Sequence, residues 1–354
     1  MLFVQKVAEK YKVVAKTKWL EQQVSDTEDK LNKFLSSKAK MLKAISDSDL
    51  AASEKGAEER KLDSVEKYLR VSIRDLKDAI VWRDKTDTNI DNKKDLELSP
   101  AGAKLQMHKI PSFNVLPGVT CPNKKECFGW CYAMGGHPMA WQAASSPARA
   151  KQTRSLGLAE RDDWVARMNA QLDKLKDGTT FRIHVTGDFY SPEYIKKWIK
   201  IADAHPNLKF YAYTKSHQMQ GIKALEKRPN VTIRYSLGGT EDDKVDLDKD
   251  IHCKVFDSKE DLDNAGYTEC GHDSDDRIAA DKNTPKLGIV KHGTRKYQPK
   301  IVKPHTLAAV STYPVAHLYD QIDAPHSWSK DETALNSGIG AHQTETQYVK
   351  HWKK

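Results

Sequence analysis

Long hydrophobic runs are missing from this chain: none approaches the roughly 20 apolar residues that a membrane span needs. The amino terminus also lacks the charged-then-apolar pattern of a secretory leader, so a cytoplasmic protein is expected. Cysteine is scarce, at 5 in 354 residues, which excludes a secreted disulfide framework. Residues 1–107 contain neither cysteine nor histidine, the first histidine being His108, and metal or acid–base chemistry is not expected in the helical part of this stretch. No internal repeat and no base-reading motif is present.

Three of the five cysteines are close together. Cys121, Cys127 and Cys131 fall in the run Thr120-Cys-Pro-Asn-Lys-Lys-Glu-Cys-Phe-Gly-Trp-Cys-Tyr-Ala133. Three thiolates so close can converge on one metal or cluster, and a bare trio leaves a coordination position open for chemistry. A structural zinc site is the alternative, with Cys253, Cys270 and His272 available to complete it or to form an auxiliary metal site. Unligated thiols are the third reading.

The surroundings point to a parallel α/β domain. Residues 109–116 read as a short strand ended by Pro117-Gly118, so the cysteines follow a strand. Asp162 is placed to cap a helix with Val165, Met168, Leu172 and Leu175 on one face. Strands are then expected at 181–185, 208–213 and 231–235, with Ser191-Pro192-Glu193 opening one intervening helix and residues 219–226 forming the next. Strand alternating with helix implies a parallel sheet with crossovers, and in such sheets binding groups collect at the carboxyl ends of the strands. His184, Gly187, Asp188, Lys215 and Ser236 all lie at or just past these exits and form the candidate ligand-binding ring. No catalytic residue is assigned.

These segments carry a resemblance. The loop ending Cys131-Tyr-Ala133, the run from Arg182 through Thr186-Gly187-Asp188 to Tyr194, and Lys209 to Ser216 together resemble the bacteriophage "gene product 88" family over about 109–297. That family is in turn similar to radical-SAM proteins, partial TIM barrels whose three-cysteine loop holds a 4Fe-4S cluster. The resemblance implies that Cys121, Cys127 and Cys131 each bind one iron, with the fourth open to S-adenosylmethionine. Gly187-Asp188 would occupy the turn that meets the methionine amino group. Here five and then three residues separate the cysteines, where the radical-SAM pattern has three and then two. Reductive cleavage of S-adenosylmethionine is therefore not carried over with the cofactor.

The expected organisation is a helical arm at 1–83, a linker at 84–108, the α/β cluster-binding domain at 109–300 with an acidic insertion near 241–281, and an extension at 301–354. In the arm, Ser25-Asp-Thr-Glu28 and Asp63-Ser-Val-Glu66 resemble capping boxes. Two apolar stripes follow them, Leu31, Phe34, Leu35, Leu42 and Ile45, then Val65, Leu69, Ile73, Leu76 and Ile80, which predict an αα-hairpin serving as a cover, a partner-binding arm or an oligomerisation arm. Net charge is +9, of which the first 98 residues, with 21 Lys and Arg against 19 Asp and Glu, hold +2. Lys282 to Lys303 runs without an acid and could pair with nucleic-acid phosphates or neutralise the acidic stretch before it. The functional expectation is a phage-encoded, radical-SAM-like iron–sulfur enzyme of unidentified substrate; its rival is a non-enzymatic, zinc-stabilised protein that binds nucleic acid or a host protein.

Overall fold

The computed structural model describes residues 18–85, 98–100, 109–129, 131, 147–270 and 276–290. Of these, 18–80, 125–129, 131 and 147–151 fall in one compact unit, and the remainder in a second. His272, Lys291 to Lys303 and the extension from 301 lie outside the described residues.

The first unit is built on two helices, α1 (Lys18–Ser46) and α2 (Ala52–Asp84). They pair as an antiparallel hairpin: Lys38 bridges to Asp63 and Glu66, Lys77 to Glu28, and Lys55 Nζ donates to Ser46 O at the turn. Leu31, Phe34, Ile45, Val65 and Leu69 form the core as their spacing predicts, joined by Met41 and Leu62, while Leu35 stays exposed. Both capping boxes are corrected: each lies inside a continuous helix. Thr27 Oγ1 bonds back to Gln23 O, and Asp63 and Glu66 serve Lys38 instead. At the true start of α2, Glu54 accepts from Ala51 N. A short helix, α3 (Glu126–Gly129), places Phe128 edge-on to Tyr68.

The second unit is an α/β half-barrel. Its strands are β1 (Ser99–Pro100), β2 (Pro111–Ser112), β3 (Thr180–Arg182), β4 (Lys209–Thr214), β5 (Val231–Ser236), β6 (His252–Phe256), β7 (Thr268–Glu269) and β8 (Lys286–Val290), in the order β1-β2-β3-β4-β5-β6-β8-β7. Every neighbouring pair is parallel except β1 with β2. The acidic stretch at 241–281 is more than an insertion, because it supplies β6, β7 and the helix between them (Lys259–Asn264).

Crossover helices cover one face. Between α4 (Pro147–Ala159) and β3 lies α5 (Trp164–Leu172); α6 (Pro192–Ala204) joins β3 to β4, and α7 (Ile222–Glu226) joins β4 to β5. Ser191 caps α6, its Oγ accepting from Tyr194 N at 3.1 Å, with Pro192 at the first helical position. The cap of α5 is Asp163 rather than Asp162, and it makes no side-chain cap bond because Arg161 and Arg167 hold its carboxylate. Trp198 of α6 sits at the centre of this face, its ring against Trp164, Phe113, Phe181 and Tyr194, fully buried. Trp198→Ala therefore leaves a large cavity and is expected to cost about 3–5 kcal/mol in urea unfolding.

Candidate functional site

The site forms where β3, β4 and β5 end. β3 leads into a turn in which Gly187 adopts φ 80°, a left-handed conformation favoured by glycine. The chain there passes against the segment after β2: a Cβ on Gly187 would stand 2.4 Å from Val115 Cγ2 and 2.6 Å from Thr120 Oγ1. Asp188 follows, buried, and its carboxylate accepts from Phe189 N at 2.7 Å, Thr214 Oγ1 at 2.6 Å and Lys215 N at 2.8 Å. One carboxylate thus joins the exits of two strands. Burial pushes its pKa up to about 6, while the three donors and the Lys215 charge pull in the opposite direction.

Lys215 carries the linkage to the next strand. Its Nζ donates to Ser236 Oγ at 2.8 Å, Ser236 O at 3.2 Å and Leu237 O at 2.7 Å. The turn after β5 is held by Asp242, whose carboxylate accepts from Gly238 N and Gly239 N at 2.7 and 2.9 Å. Gly239 in turn lies against the loop that begins at Cys121. A Cβ there would be 2.9 Å from Asn123 O; Lys124 pairs with Gly239 in an antiparallel bridge, and Thr240 N donates to Asn123 O at 3.2 Å. Gly187, Asp188, Lys215 and Ser236 are accordingly brought together, with the start of the cysteine loop tied to the same end of the sheet.

His184 is placed elsewhere. It is buried on the helix-covered face, with Nε2 2.9 Å from Tyr194 Oη and the ring against Phe189 and Trp198. Burial, aided by the nearby Arg182 charge, lowers its pKa to about 3, so it is neutral in the core.

The cysteines separate into two kinds. Cys121, Cys127 and Cys131 are half-buried and in no disulfide; Cys121 belongs to the half-barrel unit, Cys127 and Cys131 to the helical one. Among the described residues no three His, Cys, Asp or Glu side chains are grouped to hold a metal ion. Cys253 and Cys270 are buried with Ile110, Tyr211, Ala279 and Leu287, and they pack as small apolar side chains. Burial pushes the Cys253 thiol up. Tyr213 Oη lies 3.6 Å from Cys270 Sγ.

Thr214 and Asp242 escaped sequence reasoning, being ordinary turn residues until their partners are known. Arg182 and Arg234 left a signal: a guanidinium inside a short apolar strand demands buried partners. Arg182 Nε donates to His184 O at 2.7 Å. Arg234 spends its donors on the carbonyls of Ile278, Ala279, Asp281 and Thr284. From the basic run, Lys282 Nζ donates to Arg228 O and Lys286 lies in β8.

A parallel half-barrel with its polar cluster at the strand exits defines an α/β protein of barrel-like class. The chain belongs to the Gene product 88 family, whose model matches residues 82–306. It is similar to the Gene 88 protein of Mycobacterium phage D29, at 28% identity over 138 residues, 37% of this chain and 55% of that protein. It is also similar to the Gene 88 protein of Mycobacterium phage L5, at 28% identity over 101 residues, 27% of this chain and 41% of that one. The matches thus span about half the length of these relatives. No solved structure matches. No helix among the described residues is long and apolar enough to cross a membrane.

Gly187→Ala adds a left-handed strain of about 1 kcal/mol and an overpacking cost of about 1–3 kcal/mol, and thermal unfolding should register their sum. Asp188 has a folded pKa of about 6 against an ordinary 3.8, so the folded state holds its proton more tightly. Its contribution to stability is full below about pH 4 and is lost as pH rises through about 6. Melting temperatures across that window should show this slope in the wild type and lack it in Asp188→Asn.

Proposed function

We propose that the protein is a phage-encoded iron–sulfur enzyme of radical-SAM-like type, acting on a substrate at the open end of the half-barrel. The observation that carries this reading is the attachment of the Cys121 loop, through Asn123 and Lys124, to the strand exits holding Asp188, Lys215 and Ser236. Active sites of barrel-like parallel sheets lie at that end. The donor set is chemically suited to a cluster: three thiols within eleven residues, none oxidised to a disulfide.

Cys121, Cys127 and Cys131 would hold the cluster, and Asp188 would meet the ammonium group of S-adenosylmethionine. Asp188 Oδ2 accepts only one of the three hydrogen bonds, and a carboxylate offers about four acceptor sites in all. When bound, such a cluster supplies one-electron chemistry. The half-barrel contributes position and dryness.

Anaerobic purification followed by iron, sulfide and zinc analysis tests the proposal. The expected result is brown protein with acid-labile sulfide, depleted of iron in Cys127→Ala and retaining it in Cys253→Ala. Colourless protein with stoichiometric zinc would overturn it in favour of a zinc-stabilised binding protein.

A further inference from the structure

The buried histidines among the described residues are His184, His205, His217 and His252. In three of them a partner can serve whichever ring nitrogen lacks a proton. His184 Nε2 and His252 Nε2 each lie 2.9 Å from a tyrosine hydroxyl, which donates as readily as it accepts, and His205 Nε2 lies 3.3 Å from the Asn169 side-chain amide, which can present its nitrogen instead of its oxygen. His217 differs. Its Nδ1 lies 3.0 Å from Glu241 O, and its Nε2 lies 3.1 Å from Thr214 O and 3.2 Å from Ser236 O. All three partners are backbone carbonyls, which only accept.

A neutral imidazole carries one N–H, so in either tautomer one bare nitrogen would face a carbonyl oxygen, lone pair against lone pair. With 2% of the residue exposed, bulk water offers that nitrogen no substitute. The imidazolium donates on both sides at once, and hydrogen bonds from a charged donor are the stronger kind. The surrounding charges favour it on balance. From the same loop Lys215 opposes a second positive charge, its Nζ sharing Ser236 O with the ring. Against it stand three carboxylates: Asp188, which accepts from Thr214 Oγ1 and Lys215 N; Glu241, which accepts from Gln218 N at 2.9 Å; and Asp242, which accepts from Gly238 N and Gly239 N. On the β5 side Tyr235 meets the imidazole edge to face, centroids 5.3 Å apart; its hydroxyl donates to Glu226, and Lys223 Nζ stands over the Tyr235 ring.

We propose that His217 is a proton-dependent clasp on the open end of the half-barrel. As the imidazolium it ties the exit of β4, at Thr214 O, to the exit of β5, at Ser236 O, and to the turn beyond it, at Glu241 O. Loss of a proton leaves one side unbonded, and the loops that present Lys215 and Ser236 loosen. A proton that the fold holds between acceptors stabilises where it is bound, and the gain fades as rising pH removes it. The clasp uses no cysteine, so it is independent of the iron–sulfur reading. Long-range proton–nitrogen NMR on the full chain with labelled histidine tests it, from about pH 6.5, the ordinary histidine value, up to about pH 8.5. His217 should show two protonated nitrogens at the lower end, where an ordinary ring is half neutral. Hydrogen–deuterium exchange over the same range, corrected for intrinsic rates and lying above the Asp188 titration, should show residues 214–218 and 236–242 losing about fivefold in protection in the wild type. His217→Gln should start at the lower protection and stay there. A His217 ring that is neutral or half neutral at the lower end, exit loops whose protection ignores pH, or a loss of protection that His217→Gln reproduces would each overturn the proposal. If His217→Gln fails to fold, the wild-type ring spectrum decides alone.

Discussion

The carboxylate of Asp188 is the constraint on which the open end of the half-barrel depends. Parallel strands are joined by long crossovers, so nothing local forces the exits of β3 and β4 to stay in step. Asp188 does so with three hydrogen bonds, binding its own turn through Phe189 N and the neighbouring exit through Thr214 and Lys215. With Lys215 N fixed, the lysine side chain reaches β5, and β5's exit turn in turn holds the cysteine loop at Asn123 and Lys124. A chain of contacts therefore runs from one buried acid to the segment expected to carry a cluster.

The two faces of the sheet divide the work. On the helix-covered face Trp198, Trp164, Phe181 and His184 make an aromatic core, and histidine chemistry is suppressed there by burial. The other face collects arginine, tyrosine, serine and cysteine. Arg234 anchors the turn at 278–284 beneath that face through four carbonyl bonds, each an interaction that a neutral side chain would not replace.

Much of this was legible in the sequence, and the misses have physical causes. β4 and β5 were read to within a residue because their apolar runs are bounded by turn signals, and α6 because Ser191-Pro192 starts it unambiguously. Asp188, Lys215 and Ser236 were found because strand ends gather polar residues in any parallel sheet. His184 falls at the exit of a strand that the sequence extends to 185. β3 ends at Arg182, whose side chain bonds the His184 carbonyl, and the imidazole enters the aromatic core. In the hairpin, local capping motifs lost to longer amphipathic patterns that bury Leu20, Ala57 and Leu62 ahead of the proposed starts.

Hydrogen–deuterium exchange on wild-type and Asp188→Asn protein tests the central claim most directly. If Asp188 organises the strand exits, the amide variant should exchange faster at residues 115–124, 214–216 and 236–241, while the β4–β5 ladder, with its own five-pair register, keeps its protection. Unchanged protection in those three loops would contradict the account, since the exits would then be held without the carboxylate.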